Sequence, residues 1–412
     1  MKILALFLHS CEYGKKIRGD ERRFLEVIRQ FKDQSTQIYV VEWYPSLRRG
    51  FKDYKLSYIS LEINPPKKKI FKIPYAILNI LNMIKAKNID FDVIYTHNQD
   101  IENVLVGFTL KMIFRKPLVV VLHWECESFE KECLRNLKRG NIFSLFLLLI
   151  SLFIKKFIFP RVDLMFTINK VVRNYAINNL NLQPRKVVVS GNGVDTKKFV
   201  PQSKLKIYDV VFFSRVDFSQ KGVDTLLMAW KEVINTRPSS RLVIVGGFHN
   251  EEENKLKDMI TKLHLKGKVI YTGFVSDDKV IEILNKSRLF VLPTRFDGFS
   301  LATLEAMSCG LPCILSDIPT LRRIYNNVAI FVKPNDHRSL ARRILSLLDA
   351  DERLKELSIT SRVYARRYRW ENVAKKEVLA MRHLLQLSPV EIISDSTSNN
   401  TIRNNPTNSN TD

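Results

Sequence analysis

Cysteine is scarce in this chain, with five in 412 residues. Cys11, Cys126, Cys133, Cys309 and Cys313 show neither the spacing of a zinc site nor the even count of a disulfide framework. This excludes a disulfide-stapled secreted scaffold and points to a reducing, cytosolic-facing compartment. There is no internal repeat. The opening run, Met1 to His9, is too short for a signal peptide and reads as a first strand. Acids are also in deficit: 42 Asp and Glu face 66 Lys and Arg, a net charge of +24. Residues 1–190 carry 32 of those bases against 17 acids, a net of +15. Such an excess suits nucleic acid, anionic lipid or phosphorylated acceptors. No motif that carries base readout is present, so nucleic acid is not an expected partner. The charge is otherwise a solvated basic surface.

What is present is apolar content of 45%, enough for cores in two domains of ordinary size. Short apolar runs alternate with helix-like segments, the pattern of parallel α/β sheets. In the first half these runs include Val93–Thr96, Leu118–Leu122 and Leu164–Thr167; in the second, Val210–Phe213, Leu242–Val245 and Leu289–Leu292. From Ser388 the chain turns Ser/Asn/Thr-rich, a composition expected to be disordered. One run stands apart. Residues 142–154 are charge-free and mostly Leu, Ile and Phe, flanked by Lys131, Arg135, Lys138 and Arg139 before and Arg161 after. It is short of the roughly 20 residues of a membrane span. Two readings stand: a helix buried under the sheet, or a helix lying in a membrane interface with basic side chains on anionic headgroups.

The richest stretch runs from Phe296 to Gly310, after the strand-like Leu289–Pro293. It reads as a loop entering a helix. Asp297 lies in the loop. Glu305 lies in the helix, where Leu301, Ala302, Leu304, Ala306 and Met307 leave no polar face. A helix apolar all round is buried, and a carboxylate buried with it needs hydrogen-bonding partners. A helix start beside Gly298 is also a ready anion site. An anion site, a buried acid and an acidic loop together suggest a sugar nucleotide.

The stretch D-G-F-S-L-A-T-L-E-A-M-S-C-G-L-P-C resembles the E-x7-E region of family 4 glycosyltransferases, whose usual form is close to E-G-F-G-L-x-x-x-E-A-M-A-C-G-x-P-V. Further matches follow in order: Asn192-Gly193-Val194-Asp195 with Phe199 and Pro201, then Phe212–Val216 with Lys221–Ala229. Leu242–Gly246, Val269–Val275 and Tyr368-Arg369-Trp370 complete the set. The resemblance covers about residues 1 to 388 and is stronger from 190 onward. It implies a GT-B fold: two Rossmann-like α/β domains facing a central cleft, with a C-terminal helix crossing back. The implied boundaries are 1–195 for an acceptor-binding domain and 206–370 for a nucleotide-sugar-binding domain. A crossover helix at 371–387 and a disordered tail at 388–412 follow.

The resemblance also implies roles. Arg215 and Lys221 match the pair that contacts the donor diphosphate, with Ser214 where the family usually has glycine. Glu305 matches the acid on the ribose, and Asp297 the acid on the donor sugar, usually glutamate. Gly298, Phe299, Ser300 and Leu301 match the backbone cradle, Phe274 a backbone contact to the base, and Gly19 the glycine loop near the phosphates. His123, favoured over His97, matches a histidine near the reacting centre. Arg323 stands where glutamate is common. Asp90-Phe91-Asp92 spells a metal–nucleotide signature of a different transferase fold, but it precedes a strand instead of following one, so no metal and no cofactor are expected. The implied activity is retaining transfer of a hexosyl group from a UDP- or GDP-sugar to a glycan or lipid-linked acceptor. The cysteine usage and the basic charge set the further expectation of a cytoplasmic protein, with peripheral contact to an anionic membrane if the run at 142–154 lies in an interface. The rivals are a catalytically weak scaffold that binds sugar nucleotide or membrane, and an epimerase acting on the donor.

Overall fold

The computed structural model describes residues 1–8, 19–31, 36–43, 59–63, 72–138, 140–248 and 252–386. The expected tail at 388–412, Cys11, Arg18 and Arg139 lie outside them. Two parallel sheets organise the chain. The first contains β1 (Lys2–Phe7), β2 (Gln37–Trp43), β3 (Ile59–Ile63), β4 (Val93–Thr96), β5 (Leu118–Leu122), β6 (Leu164–Thr167) and β7 (Val187–Val189), in the order β3-β2-β1-β4-β5-β6-β7. The second contains β8 (Tyr208–Phe213), β9 (Leu242–Val245), β10 (Val269–Gly273), β11 (Ser287–Leu292), β12 (Cys313–Ser316) and β13 (Ile330–Val332), in the order β10-β9-β8-β11-β12-β13. In each sheet the order in which successive strands are added reverses once, at β1/β4 and at β8/β11. Ligands of such sheets bind beyond the carboxyl ends of the strands at these switch points.

The strands are apolar without alternation because helices cover both faces. β5 is buried at every position. Along β1 the period of two divides the side chains between two clusters. Ile3, Ala5 and Phe7 face the helices Gly19–Phe31 and Trp370–Gln386. Leu4, Leu6 and Leu8 join a cluster that continues into the second domain.

The chain leaves the first domain and returns to it side by side. Val194 N–H donates to Tyr368 O at 2.8 Å, and Gly193 sits so close to Trp370 that a Cβ would fall 2.7 Å from its ring. The returning helix Trp370–Gln386 is fixed by a buried ion pair between Arg23 and Glu377. Tyr95 Oη donates to the other Glu377 oxygen at 3.0 Å, and Arg23 also donates to Ser190 Oγ at 2.8 Å and Gly191 O at 3.1 Å. With every partner in place, removing one member strands a buried charge at roughly 3–5 kcal/mol.

The apolar run near residue 142 becomes the helix Phe143–Phe153, continued by a π-turn at Ile154–Ile158 and a short 3-10 turn ending at Arg161. It is not buried under the sheet. Its two serines, Ser144 and Ser151, are the buried residues, while Phe143, Phe146, Leu149 and Phe153 are at least half exposed. The continuous run of 19 residues is long and apolar enough, by length and composition alone, to cross a membrane. Its last turns are held in the domain: Ile154, Ile158 and Phe159 are buried, and Lys155 reaches Glu130 at 3.6 Å.

Candidate active site

The loop before the helix Leu301–Ser308 is shaped by side chains that take up its carbonyls one by one. Thr320 Oγ1 donates to Asp297 O at 2.6 Å, and Asn169 Nδ2 to Gly298 O at 2.6 Å. Tyr325 Oη lies 3.0 Å from Phe299 O and 3.2 Å from Ser300 O. Inside the loop, Asp297 Oδ1 accepts from the backbone N–H groups of Phe299 (3.0 Å) and Ser300 (2.8 Å). Its Oδ2 accepts from Lys221 Nζ at 2.6 Å. Ser300 has φ +63° and caps the helix by accepting from Thr303 N–H. This is the left-handed region that usually demands glycine, and a serine holds it through that cap.

Asp297 is therefore an organiser of the cradle as well as a candidate contact to substrate. Without its carboxylate two cradle N–H groups and Lys221 lose a partner together. Gly298 has no room to spare: a Cβ there would lie 3.3 Å from His123 O and 3.4 Å from Ile168 Cδ1. The loop of the second domain thus touches the strand ends of the first.

Lys221 is aimed by its neighbour. Gly222 has φ +68°, and a Cβ on it would fall 2.0 Å from Pro293 O. Arg215 makes no contact with Asp297; its guanidinium pairs with Asp217 at 2.7 Å and Gln220 at 2.6 Å. Arg295, in the loop after β11, pairs with Asp224 at 2.7 Å and donates to Phe218 O. It stitches the loops that carry Arg215, Lys221 and Asp297. Gly19 starts the helix Gly19–Phe31 beside Leu301, with 3.8 Å between a Cβ on Gly19 and Leu301 Cδ1. Two helix N-termini, one from each domain, face each other there. Ser214 underlies the same end of the sheet, and a Cβ on Gly246 would lie 1.8 Å from its carbonyl. Phe274 is 64% exposed at the end of β10.

Glu305 is buried, with Arg22 Nη1 3.3 Å from its Oε1. Arg22 is shared with Asp277, 3.0 Å away, which Lys198 also reaches at 3.0 Å. Burial pushes the Glu305 carboxyl up to about 7; Arg22 opposes that shift without cancelling it. His123 is buried too, and burial pulls its imidazole down to about 4, so it is neutral at ordinary pH. Its Nε2 is 3.0 Å from His97 O, an acceptor only, so Nε2 bears the hydrogen and Nδ1 is the acceptor. His97 packs instead against Phe7 and Phe24, with ring centroids 4.4 and 5.5 Å away.

The structure thus brings together Lys221, Asp297, Gly298, Phe299, Ser300 and His123, with Gly19 and Leu301 alongside. Glu305 lies one helical step away, and Arg215 and Phe274 sit on flanking strand ends. Asp90 and Asp92 are elsewhere: they clamp the chain start, Asp90 pairing with Lys2 Nζ at 3.1 Å and Asp92 accepting from Lys2 N–H at 2.7 Å. Among the described residues no group of three or more His, Cys, Asp or Glu is placed to hold a metal ion. Thr320, Tyr325 and Asn169 were not legible as site residues. Tyr325 in particular reads as one more apolar position of its helix, and only the loop folding back over it gives it a role.

Two family models account for most of the chain. Residues 17–198 match Glycosyltransferase Family 4, and residues 194–363 match Glycosyl transferases group 1. The chain belongs to the family 4, group 1 glycosyltransferases. Proteins similar to this chain include O-antigen chain mannosyltransferase B of Escherichia coli, 26% identical over 165 residues, covering 40% of this chain and 43% of that protein. The N,N'-diacetylbacillosaminyl-diphospho-undecaprenol alpha-1,3-N-acetylgalactosaminyltransferase of Campylobacter jejuni is 25% identical over 346 residues, covering 80% of this chain and 86% of that protein. The chain spans about half the length of the first curated relatives it matches. The fold is GT-B. Anabaena HepE in complex with UDP superimposes with a TM-score of 0.72 at 16% identity, covering 93% of this chain and 100% of that one. Sucrose-phosphate synthase from Thermosynechococcus elongatus gives 0.75 at 18%, covering 93% and 98%.

Proposed function

We propose that this glycosyltransferase moves a hexosyl group from a UDP- or GDP-sugar to a glycan or lipid-linked acceptor, with retention and without a metal. The observation that carries the reading is the Lys221–Asp297 pair at 2.6 Å set against the start of the helix that buries Glu305. A nucleoside diphosphate leaving from this place gains charge as the glycosidic bond breaks. Lys221, Arg215 and the facing helix N-termini stabilise that charge more in the transition state than before it. Glu305 holds the ribose. Neutral His123 offers an acceptor nitrogen for a sugar hydroxyl. The acceptor hydroxyl attacks on the face the diphosphate leaves. The lipid-linked acceptor is supported by the diphospho-undecaprenol in the Campylobacter relative's name.

A panel of UDP- and GDP-hexoses with a diphosphoprenol-linked glycan tests this, with the anomeric configuration of the product read by NMR. A retained anomer and full activity in EDTA are expected. An inverted anomer removes the retaining assignment, and EDTA-sensitive transfer removes metal independence. Donor binding with no product turns the reading to a scaffold; an isomerised donor without acceptor turns it to an epimerase.

We propose also that the protein sits peripherally on the cytosolic face of an anionic membrane. The helix Phe143–Phe153 supports this, since it buries serines and exposes phenylalanine and leucine. Lys131, Arg135 and Lys138 line a concavity in the preceding helix Glu127–Lys138. Because its last turns are anchored in the domain core, the helix suits an interface better than a span. Flotation with anionic vesicles is expected, falling sharply with neutral ones at low salt. Equal recovery with both removes the proposal.

A further inference from the structure

A cavity at the junction of the two domains borders the site above and shares Asn169 and Phe299 with it. Its volume is about 270 Å³, just under the roughly 300–1,000 Å³ of small-molecule sites. Cations from every part of the junction line it. Lys170 comes from the start of a first-domain helix, and Arg323 from the second-domain helix Pro319–Tyr325. Arg367 and Arg369 come from the turn before the crossover helix, and Lys376 from that helix itself. No acidic residue lines the cavity. None of the five cations has an ion-pair partner among the described residues. Elsewhere at the junction cations are matched by acids, as Arg23 is by Glu377 and Arg22 by Asp277. Asn192 also lines this cavity. It is 6% exposed, and its Oδ1 has no hydrogen-bond partner.

We infer that this cavity binds a phosphate-bearing ligand across the domain junction. Five unmatched cations around a small concavity repel one another within a Debye length of roughly 8–10 Å. A doubly or triply charged group seated among them converts that repulsion into attraction. Phosphate takes both the fork of an arginine and the point charge of a lysine. The Asn192 amide adds a hydrogen-bonding group for a hydroxyl beside the phosphate. Phe299 forms part of the lining and is also a cradle residue, so occupancy here borders the donor loop without using Lys221 or Asp297. The two sources of such chemistry are a free phosphorylated metabolite and the diphosphate of a prenyl-linked molecule.

The inference does not rest on the transferase reading, and its test needs no turnover. Inorganic pyrophosphate is titrated by calorimetry into the full chain, the Arg323→Ala/Arg369→Ala variant and Lys221→Ala. The double variant is expected to lose at least tenfold in affinity, while Lys221→Ala keeps this binding event. Both arginines are exposed, so the double variant should fold, which its unliganded melting temperature checks. Thermal stabilisation by pyrophosphate over chloride at matched ionic strength should fall in the double variant. Farnesyl diphosphate is run in parallel. Binding with the same arginine dependence identifies a prenyl-borne diphosphate; binding by pyrophosphate alone identifies a free metabolite. Affinity unmoved by the double variant, or lost only in Lys221→Ala, overturns the inference.

Discussion

Two of the described helices carry no basic residue and are mostly apolar, and they end in opposite places. Leu301–Ser308 is buried from Thr303 to Ser308, with a glutamate inside. Phe143–Phe153 exposes its large side chains and buries its serines. Composition alone does not separate them. What separates them is position: the first starts at the carboxyl end of a central strand, and the second packs one side on the helix Glu127–Lys138 and leaves the other open. A helix with no water-facing side must be covered by something. For the first the cover is the protein. For the second the described residues cover only the side that carries Ser144 and Ser151, and the last turns.

The sharpest way to break this comparison is at the start of the buried helix. Asp297→Ala removes the acceptor of two cradle N–H groups and the partner of Lys221, so turnover should fall by about 10²–10³, the range for losing a preorganised charge partner. Donor affinity should fall with it, measured by calorimetry, because the loop itself loosens. Asp297→Asn, which keeps an acceptor for the N–H groups, should recover affinity more than turnover. Transfer at the wild-type rate in Asp297→Ala would show that the loop does not need its carboxylate.

Next in size is packing. Leu304→Ala should cost about 2–5 kcal/mol of stability, as buried leucines do. Leu149→Ala on the exposed helix should stay within about 0.5 kcal/mol, and Phe146→Glu/Leu149→Glu should abolish vesicle flotation with an unchanged melting temperature. A large stability loss at Leu149 would mean that the outer helix is covered in solution after all.

A third prediction concerns the buried acid. The Glu305 carboxyl sits near 7, above the ordinary range of about 4.3. Its contribution to stability is therefore full below about pH 4.3 and is lost as pH rises through 7. Glu305→Gln should gain on the wild type across that window and hold a constant advantage above it, at most about 4 kcal/mol. Melting temperatures from pH 4 to 8.5 read this; a difference that does not grow with pH removes the burial account. The smallest effect belongs to His123. Its depressed value makes its contribution full above about pH 6.5 and lost as pH falls towards 4. His123→Gln should thus be less acid-sensitive than the wild type, and its difference in melting temperature from the wild type should stay constant between pH 7 and 8.

The strands and the two-domain plan were legible because a parallel strand covered on both faces is a short, unbroken apolar run, and β4, β5, β6 and β9 are such runs. The donor loop was legible because glycine, an acid and a buried glutamate at fixed spacing leave few alternatives. Gly222 and Gly298 meet atoms that leave no room, or little, for a Cβ. Tertiary structure alone decided the rest. Thr320, Asn169 and Tyr325 hold the cradle from 23 to 129 positions away, and no local pattern encodes a contact at that range. The five junction cations likewise come from four segments that meet only when the chain crosses back. Whether an apolar helix is buried depends on what packs over it, which its own residues do not specify.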